Sequence, residues 1–310
     1  MPTAHASLPR AYRGRFAPTP SGPLHLGSLL TALAGYLDAR AASGQWLLRI
    51  DDLDSQRSRT GISDVICLTL QALGLEWDGE ITTQASRRWR YQEALEKLSA
   101  SGHIYACDCT RRETHLQRPD PTGACPGRCR DRNLPFREGQ TALRIRAEAT
   151  PLFFEDRIKG PCSVSLMPYP GDFTLFRRDG VHAYHLATVI DDHDAGITHI
   201  VRGEDLLEST PQQIFLQQRL GFVTPLYAHT PLMISTDGKK LSKSEGAPPV
   251  GITEAKKTLH LLLRYLDMPP PATLEGAAPS EILAWAREAW NPTTLKNKST
   301  ILIEDNRIPA

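Results

Sequence analysis

The sequence predicts an α/β fold: a parallel sheet flanked by helices, one inserted subdomain and a short helical C-terminal region. Three observations predict it. Residues 12–50 read strand, turn, helix, strand. The alternation breaks at residue 102 and resumes at residue 173. The 310 residues are 40% hydrophobic and 23% charged, with no internal repeat and no low-complexity tract, which is the composition of a folded globular chain.

Each element has a local reason. Residues 12–16 form a short strand that ends at Ala17-Pro18, and residues 19–23 are turn and cap residues. Leu26, Leu29, Leu30, Leu33 and Leu37 follow at helical spacing. An apolar strand over 46–50 ends in the acidic cluster Asp51, Asp52 and Asp54, and Ile62, Val65, Ile66, Leu70 and Leu73 mark a second amphipathic helix. A third helix is expected over 87–101. Residues 102–172 hold five of the six cysteines with many Pro, Gly and Arg, so they read as an insert. Beyond it come a strand over 173–177, a helix over 183–194 and a strand over 197–201. Ser209-Thr210-Pro211 starts a helix, with proline in its first turn. A strand over 226–234, a helix over 251–266, a triple proline at 269–271 and a helix over 280–290 complete the chain. The expected units are therefore 12–101 with 173–245, the insert 102–172, and a helical region 246–310.

The formal net charge is +1, which excludes nucleic-acid binding by bulk charge and leaves only a local patch. The first residues lack the apolar run of a secretory signal, and no stretch reaches the roughly 18–20 apolar residues of a membrane span. A cytoplasmic monomer without membrane contact is expected. Disulfides are rare in that compartment, so the cysteines need another explanation.

Two segments carry phosphate chemistry. The first runs from Phe16 through Pro18-Thr19-Pro20-Ser21-Gly22-Pro23-Leu24 to His25-Leu26-Gly27-Ser28, between the first strand and the first helix. Ligands of open α/β sheets bind beyond the strand ends, where helix N–H groups favour phosphate. His25 can donate to ATP phosphates, and Gly27 allows close approach to the backbone. A plain turn with a satisfied surface histidine is the alternative for His-x-Gly by itself. The second is Lys239-Lys240-Leu241-Ser242-Lys243-Ser244, whose lysines can close over a triphosphate or simply form a solvated basic loop.

In this order, about 210 residues apart, the two segments resemble the paired signatures of class I aminoacyl-tRNA synthetases. Residues 15–28, the run Arg49-Ile50-Asp51-Asp52-Leu53-Asp54 and the run from Val201-Arg202-Gly203-Glu204-Asp205 to Pro211 resemble the glutamyl branch. The resemblance spans about residues 15–244 and implies a Rossmann-like catalytic sheet. It implies ATP contacts at His25, Gly27, Ser28, Lys240, Ser242 and Lys243, with His25 and Lys243 catalytic. It implies glutamate contacts at Arg15, Thr19, Asp51, Tyr184 and Arg202. The chemistry agrees: two arginines can grip carboxylates in bidentate fashion, Asp51 can hold the ammonium, and the Tyr184 hydroxyl can orient the substrate. The bland reading of the arginines is a structural ion pair. Two residues depart from the family pattern: Ser28 stands where many synthetases have a second histidine, and Asp51 where the branch has the longer Glu.

Cys107-x-Cys109, fifteen residues, then Cys125-x3-Cys129 suits tetrahedral zinc; four free thiols are the alternative. The glutamyl-queuosine branch resembles this region, with a tyrosine at the position of Cys125, which implies a structural Zn²⁺ held by Cys107, Cys109, Cys125 and Cys129. Cys67 and Cys162 read as packing residues. Residues 107–146 carry nine arginines against five acidic residues, a candidate tRNA-contacting patch or a self-paired surface.

Only 66 residues follow Ser244, too few for the large helical anticodon-binding region of full glutamyl-tRNA synthetases. The chain thus resembles the glutamyl-queuosine tRNA(Asp) synthetases. Members of that family use ATP with Mg²⁺ to form glutamyl-adenylate without tRNA, then pass L-glutamate to queuosine in the anticodon of tRNA(Asp). A truncated enzyme charging tRNA 3′ ends, a nucleotidyltransferase that does not use tRNA and an inactive RNA-binding paralogue are the rivals.

Overall fold

The structure, a computed structural model, describes residues 11–110, 113, 127–167, 170–236, 238, 240–241, 254–296 and 298–303. In chain order the first elements are β1 (Arg13–Phe16), α1 (Leu26–Ala41), β2 (Gln45–Ile50), α2 (Ile62–Ala72), β3 (Thr82–Thr83), α3 (Arg88–Ala100), β4 (Ile104–Cys107), β5 (Ala142–Ile145), β6 (Leu152–Asp156) and β7 (Gly160–Val164). They are followed by β8 (Thr174–Phe176), α4 (Tyr184–Asp194), β9 (His199–Gly203), α5 (Thr210–Leu220), β10 (Leu226–Thr230), β11 (Leu232–Ile234), α6 (Ala255–Tyr265), α7 (Pro279–Ala289) and β12 (Thr300–Leu302).

β1, β2 and β3 pair in parallel, as do β9, β10 and β6, with β7 antiparallel at the far edge. The Thr198 N–H donates to the Arg13 carbonyl at 2.9 Å and joins the two halves between β1 and β9. The chain leaves β1 through α1 toward β2 on one side and returns much later as β9 on the other. This divergence opens a crevice at the carboxyl ends of the strands. The turn into β2 is tight: a Cβ on Gly44 would lie 2.5 Å from the Tyr12 carbonyl oxygen, so only glycine fits.

α1 is the centre of the larger core. Its leucines at 26, 29, 30, 33 and 37 are buried, and Phe16 stacks on Trp46 beneath it with ring centroids 6.1 Å apart. α6 and α7 pack on the other face of α1 through Leu259, Leu262, Leu263, Ile282 and Leu283. A second core fills the space among α3, α4, α5 and the sheet.

The insert is shared between two sheets. β4, β5 and β8 form a separate antiparallel sheet, whereas β6 from the same stretch pairs with β10 in the parallel sheet. The expected boundary at 172/173 therefore does not coincide with a sheet boundary, because β8 belongs with β4 and β5. The single strand expected over 226–234 is two strands, separated at Pro231, which has no N–H for a ladder. β12 pairs in parallel with β11, a contact with no local signal in the sequence. Among the described residues, no helix is long and apolar enough to cross a membrane.

Candidate active site

A cleft of about 670 Å³ lies at the divergence between β1 and β9. Arg15, Thr19, His25, Gly27 and Ser28 line it from β1 and the start of α1. Asp51 reaches it from the end of β2, Tyr184 from the start of α4, Arg202 from β9, and Lys240 from beyond β11. Nine expected site residues, drawn from five parts of the chain, thus share one cavity. Ser242 and Lys243 lie outside the described residues.

His25 is the N-cap of α1. Its Nδ1 accepts the Ser28 N–H at 3.3 Å, which leaves the proton of the neutral ring on Nε2, 3.0 Å from Ser28 Oγ. Ser28 therefore supports the histidine as well as lining the cleft. A Cβ on Gly27 would sit 3.2 Å from that ring and 3.8 Å from the Leu241 carbonyl oxygen, so glycine lets the histidine and the lysine-bearing loop approach each other. Gly27 and Ser28, in the first turn of this 16-residue helix, line the cavity, and a helix N-terminus favours anionic groups.

Four buried charges tie the floor of the cleft together. Arg15 Nε donates to Asp192 Oδ1 at 3.1 Å, and Arg49 Nη1 donates to the same oxygen at 2.6 Å. Arg49 Nε donates to Asp51 Oδ1 at 2.7 Å. Burial pushes the Asp51 carboxyl up to about 6, a rise that Arg49 opposes and Asp191 reinforces. Asp192 is held below the usual carboxylate range: burial would raise it, but Arg15 and Arg49 outweigh burial. The signal for this network was Arg49 inside an otherwise apolar strand, together with the pair Asp191-Asp192 in α4.

The two arginines expected to contact substrate differ in what they have left to offer. Arg15 commits Nε, and no acceptor faces its two terminal nitrogens among the described residues. Arg202, only 4% exposed, donates from Nε to His229 Nε2 at 3.0 Å and from Nη1 to Gln213 Oε1 at 2.7 Å. Its Nη2 donates to the Leu206 carbonyl at 3.2 Å and to Thr210 Oγ1 at 2.7 Å. Its cation also lies 5.2 Å from the centre of the Tyr227 ring. Of five N–H bonds, one on Nη1 remains, so the bidentate grip expected of Arg202 is not available in this geometry.

Sequence reasoning passed over several lining residues. Gln56, Arg57 and Arg59 form a rim on the loop after β2. Asp205 accepts Lys240 Nζ at 2.6 Å, so this lysine is held by a carboxylate at the cleft edge. Gly203 leaves room for that carboxylate: a Cβ there would be 2.6 Å from Asp205 Oδ1.

Away from the cleft, Cys107, Cys109 and Cys129 converge with all three sulfurs within 4.8 Å of one another, and Cys109 and Cys129 Sγ are 3.4 Å apart. Cys125 lies outside the described residues. The donor set fits a metal. Sulfurs about 2.3 Å from a tetrahedral zinc are roughly 3.8 Å apart, close to what the three thiols present.

The chain matches the family described as tRNA synthetases class I (E and Q), catalytic domain, over residues 11–266. It is 45% identical to a protein of Ectopseudomonas mendocina named Glutamyl-Q tRNA(Asp) synthetase, across 94% of this chain and 97% of that one. A protein of the same name from Thiobacillus denitrificans is 46% identical across 91% and 94% of the two chains. Among solved structures, a glutamate-tRNA synthetase of Elizabethkingia anophelis superposes with a TM-score of 0.79 at 26% identity, covering 96% of this chain and 69% of that one. A glutamate tRNA ligase of Elizabethkingia meningosepticum, in complex with its amino acid, gives 0.78 at 25% identity, with 96% and 68% covered.

Proposed function

The chain belongs to the glutamyl-Q tRNA(Asp) synthetase family of class I tRNA synthetases, and from that premise we propose how its cleft works. It is an ATP-dependent ligase that activates glutamate and transfers it to queuosine in the anticodon of tRNA(Asp). The observation that carries the mechanism is the cleft itself, in which a cationic and an acidic strand end meet the N-terminus of α1.

Arg15 grips one glutamate carboxylate with its two terminal nitrogens, while Asp192 holds the guanidinium in place. Arg202 adds a single N–H to that recognition and Tyr184, 39% exposed, a hydroxyl. Asp51, in its ionised form, holds the substrate ammonium. Being one methylene shorter than the family's glutamate, it does so through a bridging water or a closer backbone. Thr19 closes the pocket beside Arg15.

ATP enters with Mg²⁺ as substrate, its phosphates against the first turn of α1. The glutamate α-carboxylate oxygen attacks the α-phosphorus in line, the bond to the bridging oxygen breaks, and pyrophosphate leaves. His25 donates from Nε2 to the phosphates, and Lys240 and Lys243 neutralise charge that builds on them. Lys240 does so by exchanging Asp205 for phosphate. A queuosine hydroxyl then attacks the glutamyl carbonyl and AMP leaves. No covalent enzyme intermediate is required.

We assign the catalytic work to residues 12–101 and 173–245 together with β6. α6 and α7 brace α1. Residues 102–172 receive tRNA, with zinc held by Cys107, Cys109, Cys125 and Cys129; zinc would supply a structural crosslink and no step of the reaction.

Pyrophosphate exchange driven by glutamate without any tRNA is the expected result, together with transfer to tRNA(Asp) that bears queuosine. Exchange that appears only when tRNA is added, equal exchange with glutamine, or charging of the tRNA 3′ end would each overturn the assignment.

A further inference from the structure

Arg202 is held by Leu206, which lines the cleft, and by His229, Gln213 and Thr210, which do not. Three adjacent strands each supply one buried side chain: Arg202 from β9, His229 from β10 and Asp156 from β6. The register sets His229 directly across from Arg202. His229 is fully buried and Asp156 is 1% exposed.

The hydrogen-bond directions follow from the donors present: Thr210 Oγ1 lies 3.2 Å from His229 Nε2 but donates its proton to the Leu206 carbonyl at 3.2 Å. An arginine can only donate, so His229 Nε2, 3.0 Å from Arg202 Nε, must present a lone pair. The ring proton therefore sits on Nδ1, which donates to Asp156 Oδ2 at 2.5 Å. Asp156 is itself oriented by the N–H groups of Ile158 at 3.0 Å, Lys159 at 2.9 Å and His229 at 3.2 Å, all on Oδ1. With those donors on one oxygen, the other is free to hold the imidazole. Were the ring proton on Nε2, Thr210 Oγ1 could accept it, but Arg202 Nε would lose its acceptor and the guanidinium its plane.

We propose that His229 and Asp156 are positioning residues for Arg202. Asp156 selects the His229 tautomer, His229 sets the plane of the guanidinium, and that plane aims the one uncommitted Nη1–H at the carboxylate of the amino-acid substrate. The proposal rests on the reading of Arg202 as a glutamate contact. It gives the pair a role in amino-acid specificity, with neither residue touching substrate.

The test is steady-state pyrophosphate exchange by the full chain, with KM for glutamate and for ATP measured separately. His229→Leu should raise KM for glutamate on the order of tenfold to a hundredfold, the range for losing a charge-assisted hydrogen bond, and should leave KM for ATP within about twofold. His229→Gln places an amide oxygen near the position of Nε2 and should recover most of the loss. Arg202→Ala separates the two readings. If it loses glutamate use while His229→Leu keeps a normal KM for glutamate, the positioning role is overturned and the glutamate site stands. If Arg202→Ala is itself normal, both fall. Equal damage to glutamate and ATP parameters in His229→Gln would mark a purely structural role and also overturn the proposal. Should His229→Leu fail to fold, ¹⁵N-histidine NMR of the wild-type chain decides. A neutral His229 ring protonated on Nδ1 is expected, and an Nε2–H or doubly protonated ring would overturn it.

Discussion

Asp51 shows how a single methylene and a buried environment combine. The residue is 7% exposed at the end of β2, so burial disfavours its ionised form even beside Arg49. Its pKa is pushed up to about 6, which places the change of charge within the working range of an enzyme. Above that pH the carboxylate can hold the substrate ammonium, and below it the neutral acid cannot. The kcat/KM for glutamate should therefore fall as pH is lowered through about 6, since this parameter reports the free enzyme. Asp51→Asn should flatten that limb and raise KM for glutamate about tenfold or more, with KM for ATP little changed. A wild-type profile flat from pH 5 to pH 7 would remove Asp51 from the ammonium site. Most of the expected cleft residues, unlike Gln56, Arg57 and Arg59 on the rim, were legible because they sit in motifs. Their free valences were not: Arg15 and Arg202 look alike in sequence, yet one keeps its terminal fork and the other keeps a single N–H.

The cysteine-bearing segment poses a different problem, that of an element without a core. Among the described residues, the hydrophobic cluster there is Tyr105, Cys107, Cys109 and Cys129, with Leu134 partly covered. So few apolar groups cannot offset the conformational entropy of ordering the loop, and a crosslink is the physical alternative. One zinc per chain is the expected stoichiometry in protein prepared without chelators. Cys109→Ala should lose the metal and weaken transfer to tRNA more than pyrophosphate exchange, because these cysteines do not line the cleft. Metal-free wild-type protein with full transfer activity would refute this. Spacing in the sequence pointed to these thiols, and the structure brings together the three it describes. Other elements had weaker signals. β4, β5, β6 and β7 lie in a stretch rich in Arg, Pro and Gly, where short strands gain their stability from partners distant in sequence rather than from periodicity.

At the scale of the molecule, the C-terminal helices are not an independent appendage. α6 and α7 complete the core on α1, and Trp290 Nε1, at the end of α7, donates to Asp38 Oδ1 at 2.9 Å. Asp38 also accepts the Tyr12 hydroxyl at 2.5 Å and Arg157 Nη2 at 3.0 Å, so one buried carboxylate joins β1, α1, the turn after β6 and the end of α7. Its pKa is lowered: burial would raise it, but Arg157, Trp290 and Tyr12 outweigh burial. Asp38→Ala leaves three donors without their acceptor and should cost about 3 kcal/mol or more of stability, read from urea unfolding. A loss below about 1 kcal/mol would show that the hub does not hold the C-terminal region in place. The sign of the pH effect follows from the lowered pKa. Asp38 contributes its full stabilisation above the unfolded carboxylate value, and the contribution is lost as pH falls through the folded value.

The alternation of strands and helices, the motif around His25, the acidic end of β2 and the resemblance to the family are all legible in the sequence alone. All of these rest on interactions between residues a few positions apart, or on motifs long enough to be specific. Only the tertiary structure decided that β6 leaves the insert for the parallel sheet, that β12 returns to pair with β11, and that Lys240 is held by Asp205. Only it decided that Arg202 spends four of its N–H bonds on the protein, one of them on a histidine that Asp156 orients. The reason is that a donor's remaining capacity depends on acceptors brought near it by packing, and those acceptors leave no periodic trace in the chain around the donor.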